Sequence, residues 1–378
     1  MAEPVLNIEP DAPAELRTTP LDALHRSLGG RMMEFAGYSL PVQYGPGVMA
    51  EHLHTRTGAS LFDVSHMGQF TLCGDGAAAA LESLAPGDFQ ALAPGRQRYT
   101  LLLNDIGGIL DDLIVANYGD RLMIVANAGR KEFDALHILQ GLPSGLSFDQ
   151  HPDRALLALQ GPASAAIMAR LCPAAAALPF MGVVDASIGG IAAWISRSGY
   201  TGEDGFEISV LAADAEGLAT RLLAEPGVLP AGLGARDSLR LEAGLCLYGT
   251  DIDELTTPIE ANLAWAIGKR RRAEAGFAGS AVVLDQLKTG PHRLRVGLRP
   301  MGKAPARALT PIVSTDGLSA GGITSGGFSP TLGVPIAMGY VRRDVSAPGT
   351  DLQLLIRDNL LPAQVVPLPF VPHRYVKA

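Results

Sequence analysis

Cysteine is scarce. The 378 residues hold three, Cys73, Cys172 and Cys246, far apart and forming no C-x-x-C pair. An odd, dispersed set supports neither a disulfide framework nor a thiolate zinc site, and it fits a reducing compartment. Charge is thin as well: 18% of residues are Asp, Glu, Lys or Arg against 47% hydrophobic, which argues for a compact enzyme over a disordered chain. Positive charge is the minority sign, and the net charge of −8 argues against nucleic acid as a partner while permitting local basic patches. Long apolar runs are missing. The longest, Ala174 to Ile195, is broken by Pro179, Asp185 and Gly189-Gly190, so no membrane span is expected. Met1 to Glu15 is acidic and proline-bearing. It has neither a charged-then-apolar signal nor an Arg-rich amphipathic presequence, so a cytoplasmic protein is expected, with the mitochondrial matrix, after removal of a presequence, as the alternative. No G-x-G-x-x-G or P-loop pattern follows a strand, which leaves dinucleotide and P-loop readings unsupported.

What is present begins with size. A chain this long exceeds the point where single cores stop growing, so two or three domains are expected. The most informative stretch runs from Tyr99 to Asn117: an apolar run, then Asn104-Asp105-Ile106-Gly107-Gly108, then Ile109 to Asn117 with Asp111-Asp112 near its start. Asn, Asp and Gly between two β-rich runs predict a hairpin-type turn. Successive strand side chains point to opposite faces, so the two aspartates do not share a pocket as a dyad. One should face inward and need a partner or ligand, since an unpaired buried charge is too costly. The plainer alternative is two solvated strand-end acids.

The rest, in order, reads as α+β. Residues 1–17 form a loose leader. Thr19-Pro20-Leu21-Asp22 opens a helix that Gly29-Gly30 ends. A short helix spans Glu51 to Arg56, where His52 and His54 are two apart, wrong for a metal-binding helix face. Phe62 to Phe70 alternates as one strand. Helices follow at Arg130–Leu139 and from Gly161 to Cys172, with a buried strand at Ala155–Leu159. After Gly199-Tyr-Thr-Gly-Glu-Asp-Gly205, Glu207 sits between Phe206 and Ile208. That is either an ordinary amphipathic strand or a carboxylate placed for a two-donor amidine edge such as a pterin's. Arg236 and Arg240 lie on one helix face, where such pairs are usually solvated. Gly268-Lys269-Arg270-Arg271-Arg272 is the one concentrated cationic cluster. Ser280 to Lys288 is a helix closed by Gly290-Pro291, and the Gly- and Pro-punctuated alternation from Arg293 onward reads as a small β barrel or sandwich.

Four blocks carry a resemblance: Phe62-Asp-Val-Ser-His-Met67, Gly107-Gly-Ile-Leu-Asp-Asp-Leu-Ile114, Gly199 to Gly205, and Arg236-Asp-Ser-Leu-Arg-Leu-Glu-Ala-Gly-Leu-Cys-Leu-Tyr-Gly249, with Asp251-Ile-Asp-Glu254 and Gly268 to Arg272 adding to them. In that order they resemble the T-protein family of the glycine cleavage system, from about Leu16 to the C-terminus. The resemblance implies a folate-binding portion over 18–279 of two intertwined α+β subdomains with mainly antiparallel sheets, a bridging helix at 280–291, and a C-terminal β-barrel domain over 292–378, in a three-leaf arrangement. It implies an aminomethyltransferase that takes the methylene group of aminomethyl-dihydrolipoate on the H protein, with tetrahydrofolate as co-substrate and no metal. Asp112 takes the catalytic position, and Glu207, Arg236 and Tyr375 folate-binding positions; Met67 and Tyr99 line the folate cavity. Glycine decarboxylase and dihydrolipoamide dehydrogenase are implied as system members. The H protein is acidic in this family, so Lys269, Arg270, Arg271 and Arg272 are expected to dock it. The alternatives are a folate-dependent demethylase of the same fold and a non-catalytic folate-binding accessory protein.

Overall fold

The computed structural model describes residues 15–377; most of the expected leader lies outside them. Arg17–Thr18 is no leader: it pairs in parallel with Tyr38–Ser39 on the rim of a three-stranded sheet.

Two larger sheets are nested in sequence. A six-stranded sheet has the order Val183–Ile188, Ile191–Ser196, Gly205–Leu211, Arg154–Gln160, Ala59–Asp63, Val228–Pro230. A five-stranded antiparallel sheet has the order Arg96–Leu103, Ile109–Asn117, Leu122–Ala126, Gly68–Cys73, Ser147–Gln150. All of the second lies between strands Ala59–Asp63 and Arg154–Gln160 of the first, which is the intertwining expected. Only the Val228–Pro230 edge of the larger sheet is parallel to its neighbour.

Phe62 to Phe70 is therefore not one strand. Ala59–Asp63 belongs to the six-stranded sheet and Gly68–Cys73 to the five-stranded one. Alternation is broken by local hydrogen bonds that a period-two pattern does not register: Asp63 Oδ1 accepts the Ser65 N–H at 2.9 Å, and the Met67 N–H turns back to the Val64 carbonyl at 3.1 Å. The other carboxylate oxygen of Asp63 takes the Thr19 hydroxyl at 2.6 Å and His25 Nε2 at 2.8 Å. Thr19 is thus not a plain N-cap; the helix begins at Asp22.

Each sheet buries one face under helices. Phe206, Ile208, Leu157 and Leu159 pack beneath helices Ser164–Leu171 and Ala212–Leu223. Leu113, Val115, Phe70 and Leu72 pack beneath helices Ala77–Leu84 and Lys131–Gly141. The chain ends in a closed six-stranded barrel, order Arg293–Pro300, Val334–Arg342, Ser319–Ser329, Pro311–Ser314, Asp351–Ile356, Asn359–Val366, with its own apolar interior. Closure removes the edges an open sheet would expose. Helix Leu233–Glu242 joins the parts. Arg240 is 3% exposed, with bonds to Asp251 at 2.7 Å and, in the barrel, Ser325 at 2.9 Å. The expected solvation of Arg240 is wrong, because two arms of its guanidinium are spent on the buried Asp251 and Ser325.

Candidate active site

The hairpin forms as expected. Asn104 Oδ1 accepts the N–H groups of Ile106 and Gly108 at 3.1 and 2.8 Å, and Gly107 takes a positive φ of 79°. At Gly108 a Cβ would collide with the Glu254 carbonyl, so the acidic loop can lie directly on the hairpin. From there the strand alternates. Asp111, Leu113 and Val115 face helix Lys131–Gly141, while Asp112 and Ile114 line a cavity of about 960 Å³.

The two aspartates do point to opposite faces. The expectation of one inward and one outward acid nevertheless fails, because Asp111 is the more deeply buried, at 0% exposure. Both are held by Asn127, across from Asp112 on the neighbouring strand's end. Asn127 Nδ2 donates to Asp111 Oδ1 at 2.8 Å and to Asp112 Oδ1 at 2.7 Å. Burial and the Asp111 charge push the Asp112 carboxyl up to about 7, against hydrogen bonds from Tyr99 and Asn127 that hold it down. A carboxyl titrating near neutrality can both take and return a proton.

The other end of the cavity is built on the six-stranded sheet. Phe206 and Ile208 enter the core, and Glu207 between them faces the cavity. Its Oε2 accepts the Ser198 hydroxyl at 3.1 Å. Burial raises its pKa, opposed by the Arg236 guanidinium. Arg236 lies over the Tyr200 ring, 4.7 Å from its centroid, and among the described residues its guanidinium N–H groups have no protein acceptor. Tyr200 donates to the Cys246 carbonyl.

Met67, in the turn between the two sheets, lines the same space. Tyr99 lines it too, its ring 5.2 Å from that of Trp265. Tyr375 reaches it from the tail, stacked on Phe180 at 4.0 Å. The tail is pinned by Arg374 N–H to the Gly202 carbonyl and Phe180 N–H to the Val376 carbonyl, both at 2.8 Å. The barrel contributes Val296 and Val365. Asp112, Glu207, Arg236, Met67, Tyr99 and Tyr375 thus share one cavity. Sequence reasoning missed Asn127, Tyr200 and Trp265; the one signal for Asn127 was a polar residue closing an apolar strand.

Lys269 to Arg272 stand apart from this cavity, and most of the charge expected to dock a carrier is paired within the protein. Arg270 is paired with Glu82 at 2.6 Å, Asp88 at 2.8 Å and Glu274 at 2.6 Å. Arg271 is 5% exposed and donates to the carbonyls of Glu82 at 2.6 Å and Gly276 at 3.1 Å. Arg272 donates to the Ala264 and Ile267 carbonyls. Arg270 and Arg271 tie this segment to the end of helix Ala77–Leu84 and Arg272 closes on its own segment, leaving Lys269 exposed.

No group of three or more metal-ligating side chains occurs among the described residues. His52 is buried on Ser238, Glu242 and Thr331.

Comparison with known proteins gives a consistent answer. Residues 21–271 match the model of the GCVT N-terminal domain, and residues 293–372 that of the glycine cleavage T-protein C-terminal barrel domain. The chain is 49% identical over 376 residues to "Aminomethyltransferase, mitochondrial" of Gallus gallus, covering 97% of this chain and 95% of that protein. It is 48% identical over 371 residues to the Homo sapiens protein of the same name, covering 95% and 91%. The crystal structure of glycine cleavage system aminomethyltransferase T from Bartonella henselae superposes with a TM-score of 0.91 at 43% identity, over 96% of this chain and all of that one.

Proposed function

The chain belongs to the glycine cleavage T-protein family, and from that membership we propose that it is a tetrahydrofolate-dependent aminomethyltransferase. It takes the methylene group of aminomethyl-dihydrolipoyl H protein, releases ammonia, and forms 5,10-methylene-tetrahydrofolate. The observation that carries this reading is the single cavity in which one sheet supplies Asp112, the other Glu207, and the barrel a wall. At about 960 Å³ it is at the upper end of small-molecule sites, room enough for a folate beside a lipoyl arm.

Residues divide the work. Glu207 accepts from the two-donor pterin edge, and Arg236 offers unspent donors beside it. Met67, Tyr99 and Tyr375 are apolar or aromatic walls for the folate. At the reacting end the thiohemiaminal carbon forms bonds to folate N5 and N10 while its bonds to nitrogen and sulfur break, and the two folate protons leave with them as ammonia and the dihydrolipoyl thiol. The methylene becomes electron-poor on the way, and a fixed Asp112 carboxylate stabilises that charge and manages the N10 proton. Positioning two large substrates can supply roughly 7–11 kcal/mol of the barrier reduction. No step asks for a metal.

The donor carrier is the lipoylated H protein, with glycine decarboxylase and dihydrolipoamide dehydrogenase as the other system members. The mitochondrial names of the animal relatives support the matrix alternative over the cytoplasmic placement. The deciding experiment is methylene-tetrahydrofolate formation from aminomethylated H protein. Failure of the intact protein to form it, with donor and tetrahydrofolate saturating, would overturn the reading.

A further inference from the structure

Behind the strand that carries Asp112 lies a carboxyl group with no role so far. Asp134, on helix Lys131–Gly141, is 0% exposed. Among the described residues neither of its oxygens meets an N–H or a neutral hydroxyl donor. A bare carboxylate in that position is too costly to persist. What Asp134 does meet is another fully buried acid, Asp111, whose charge weighs on it more than that of any other group. Two buried carboxyl groups that bear on each other in this way do not both ionise, so one of them holds a proton.

Which one holds it follows from the other contacts. Asp111 accepts the Asn127 backbone N–H at 3.1 Å and Asn127 Nδ2–H at 2.8 Å. Burial raises Asp111 as well, but the two Asn127 donors favour its charged form, and no donor does so at Asp134. Burial and the Asp111 charge push Asp134 up to about 10. The second proton of Asn127 Nδ2 goes to Asp112, 2.7 Å away, so one amide clamps the charged acid of the pair beside the cavity acid.

We infer that Asp134 and Asp111 form a buried acid–carboxylate pair holding one proton, and that the charge fixed on Asp111 sets the basicity of Asp112 across the strand. Asp111, Asp134 and Asn127 are positioning residues for the reaction proposed above, and the inference rests on that reading.

The remaining titratable and charged neighbours do not supply this charge. Tyr99 on the adjacent strand, and Tyr200 and Tyr248 across the cavity, are raised by burial and stay neutral; the Cys246 thiol is pushed up to about 12. Arg130 opposes the effect at Asp134 and is itself paired with Glu254 at 2.8 Å. Asp111 is the one fixed negative charge against the strand face behind Asp112. Without it, Asp112 would ionise at lower pH and be a weaker proton acceptor where the enzyme works.

The test compares Asp111→Asn and Asp134→Asn in the full chain. Asp111→Asn removes the charge, so the acidic limb of the pH profile of kcat/KM should move down by about one pH unit or more, the coupling expected of interacting acids. Asp134→Asn is neutral like the acid it replaces and leaves the charge in place, so its limb should stay with that of the wild type. A merely structural role would lower thermal stability in both variants without moving either limb. Infrared spectroscopy reads the proton directly. At a pH where Asp112 has ionised, the wild type should retain a carboxylic-acid C=O band that Asp134→Asn lacks. An unmoved limb in Asp111→Asn, an equal shift in both variants, or a band that persists in Asp134→Asn would each overturn the inference. The band is read without substrate, so a protein that fails to make methylene-tetrahydrofolate would refute the proposed activity and leave the proton pair separately decided.

Discussion

The two ends of the cavity use the same carboxyl group in opposite electrostatic settings. Glu207 faces a cation, Arg236, whose donors are otherwise free. Asp112 faces a second carboxylate across Asn127 and no cation close enough to rank among its influences. Burial raises both acids, but the cation beside Glu207 works against that rise and favours the charged form that suits recognition. A carboxylate pressed by a like charge is held near its titration point and suits chemistry. The difference is set by the neighbours, not by the acids.

Removing charge from the reacting end should have the largest effect. Asp112→Asn keeps size and hydrogen-bonding capacity and should lower turnover by on the order of 10²-fold or more, the usual cost of losing one electrostatic or acid–base contributor. Binding should survive, so tetrahydrofolate should still raise the melting temperature of the variant. Full activity would break the contrast outright.

At the recognition end the loss should fall on binding. Glu207→Ala removes a charge-assisted acceptor worth about 1.5–3 kcal/mol, so the tetrahydrofolate dissociation constant measured by calorimetry should rise roughly 10- to 150-fold. An unchanged constant would mean that the pterin edge is read elsewhere.

The contrast also predicts a pH dependence of stability. Asp112 binds its proton more tightly folded, at about 7, than in the unfolded chain. Its contribution is therefore fully present below the ordinary carboxylate pKa and is lost as pH rises through about 7. Asp112→Asn escapes that loss. Its melting temperature should exceed that of the wild type by a margin that grows between about pH 5 and pH 8. A constant margin would show that the acid is not destabilised by burial.

Much of this was legible before the structure, and particular residues show where legibility stops. Strand alternation separated Asp111 from Asp112 and turned Glu207 away from Phe206 and Ile208, but which face carried the cavity came from the family resemblance, not from the period. Hairpin, barrel and most helices followed from turn chemistry and periodicity. The identical triplets Val115-Ala116-Asn117 and Val125-Ala126-Asn127 could not be told apart. Asn117 closes a local turn with the Gly119 N–H and donates to the Leu92 carbonyl 25 residues back, while Asn127 joins two acids. What separates them is which strand lies alongside, a long-range fact. The single strand read over Phe62 to Phe70 failed for the opposite reason, a local Asx-type turn at Asp63 overriding a good pattern.

Arginines mark the same limit, and they supply the smallest expected effect on activity. Arg236 and Arg271 look alike in sequence, each in a helix near other arginines, yet Arg236 keeps its donors for the cavity and Arg271 spends its own on the Glu82 and Gly276 carbonyls. Arg271→Met retains much of the packing volume and strands those acceptors, so it should destabilise the protein by about 1–3 kcal/mol in chemical denaturation, the cost of leaving buried groups unsatisfied. Because Arg271 lines no part of the cavity, kcat and the apparent KM for H protein should both stay within about twofold of wild type, as expected for a residue remote from the chemistry. Arg270→Gln should lower the melting temperature less, because its own side chain is 31% exposed and its Glu82 partner still accepts from the Phe89 and Gln90 donors. The salt dependence of the H-protein KM should be the same for both variants and the wild type. A rise in that KM with stability unchanged would show that the cationic run serves the carrier after all, because a staple cannot alter docking without first loosening the segment it holds.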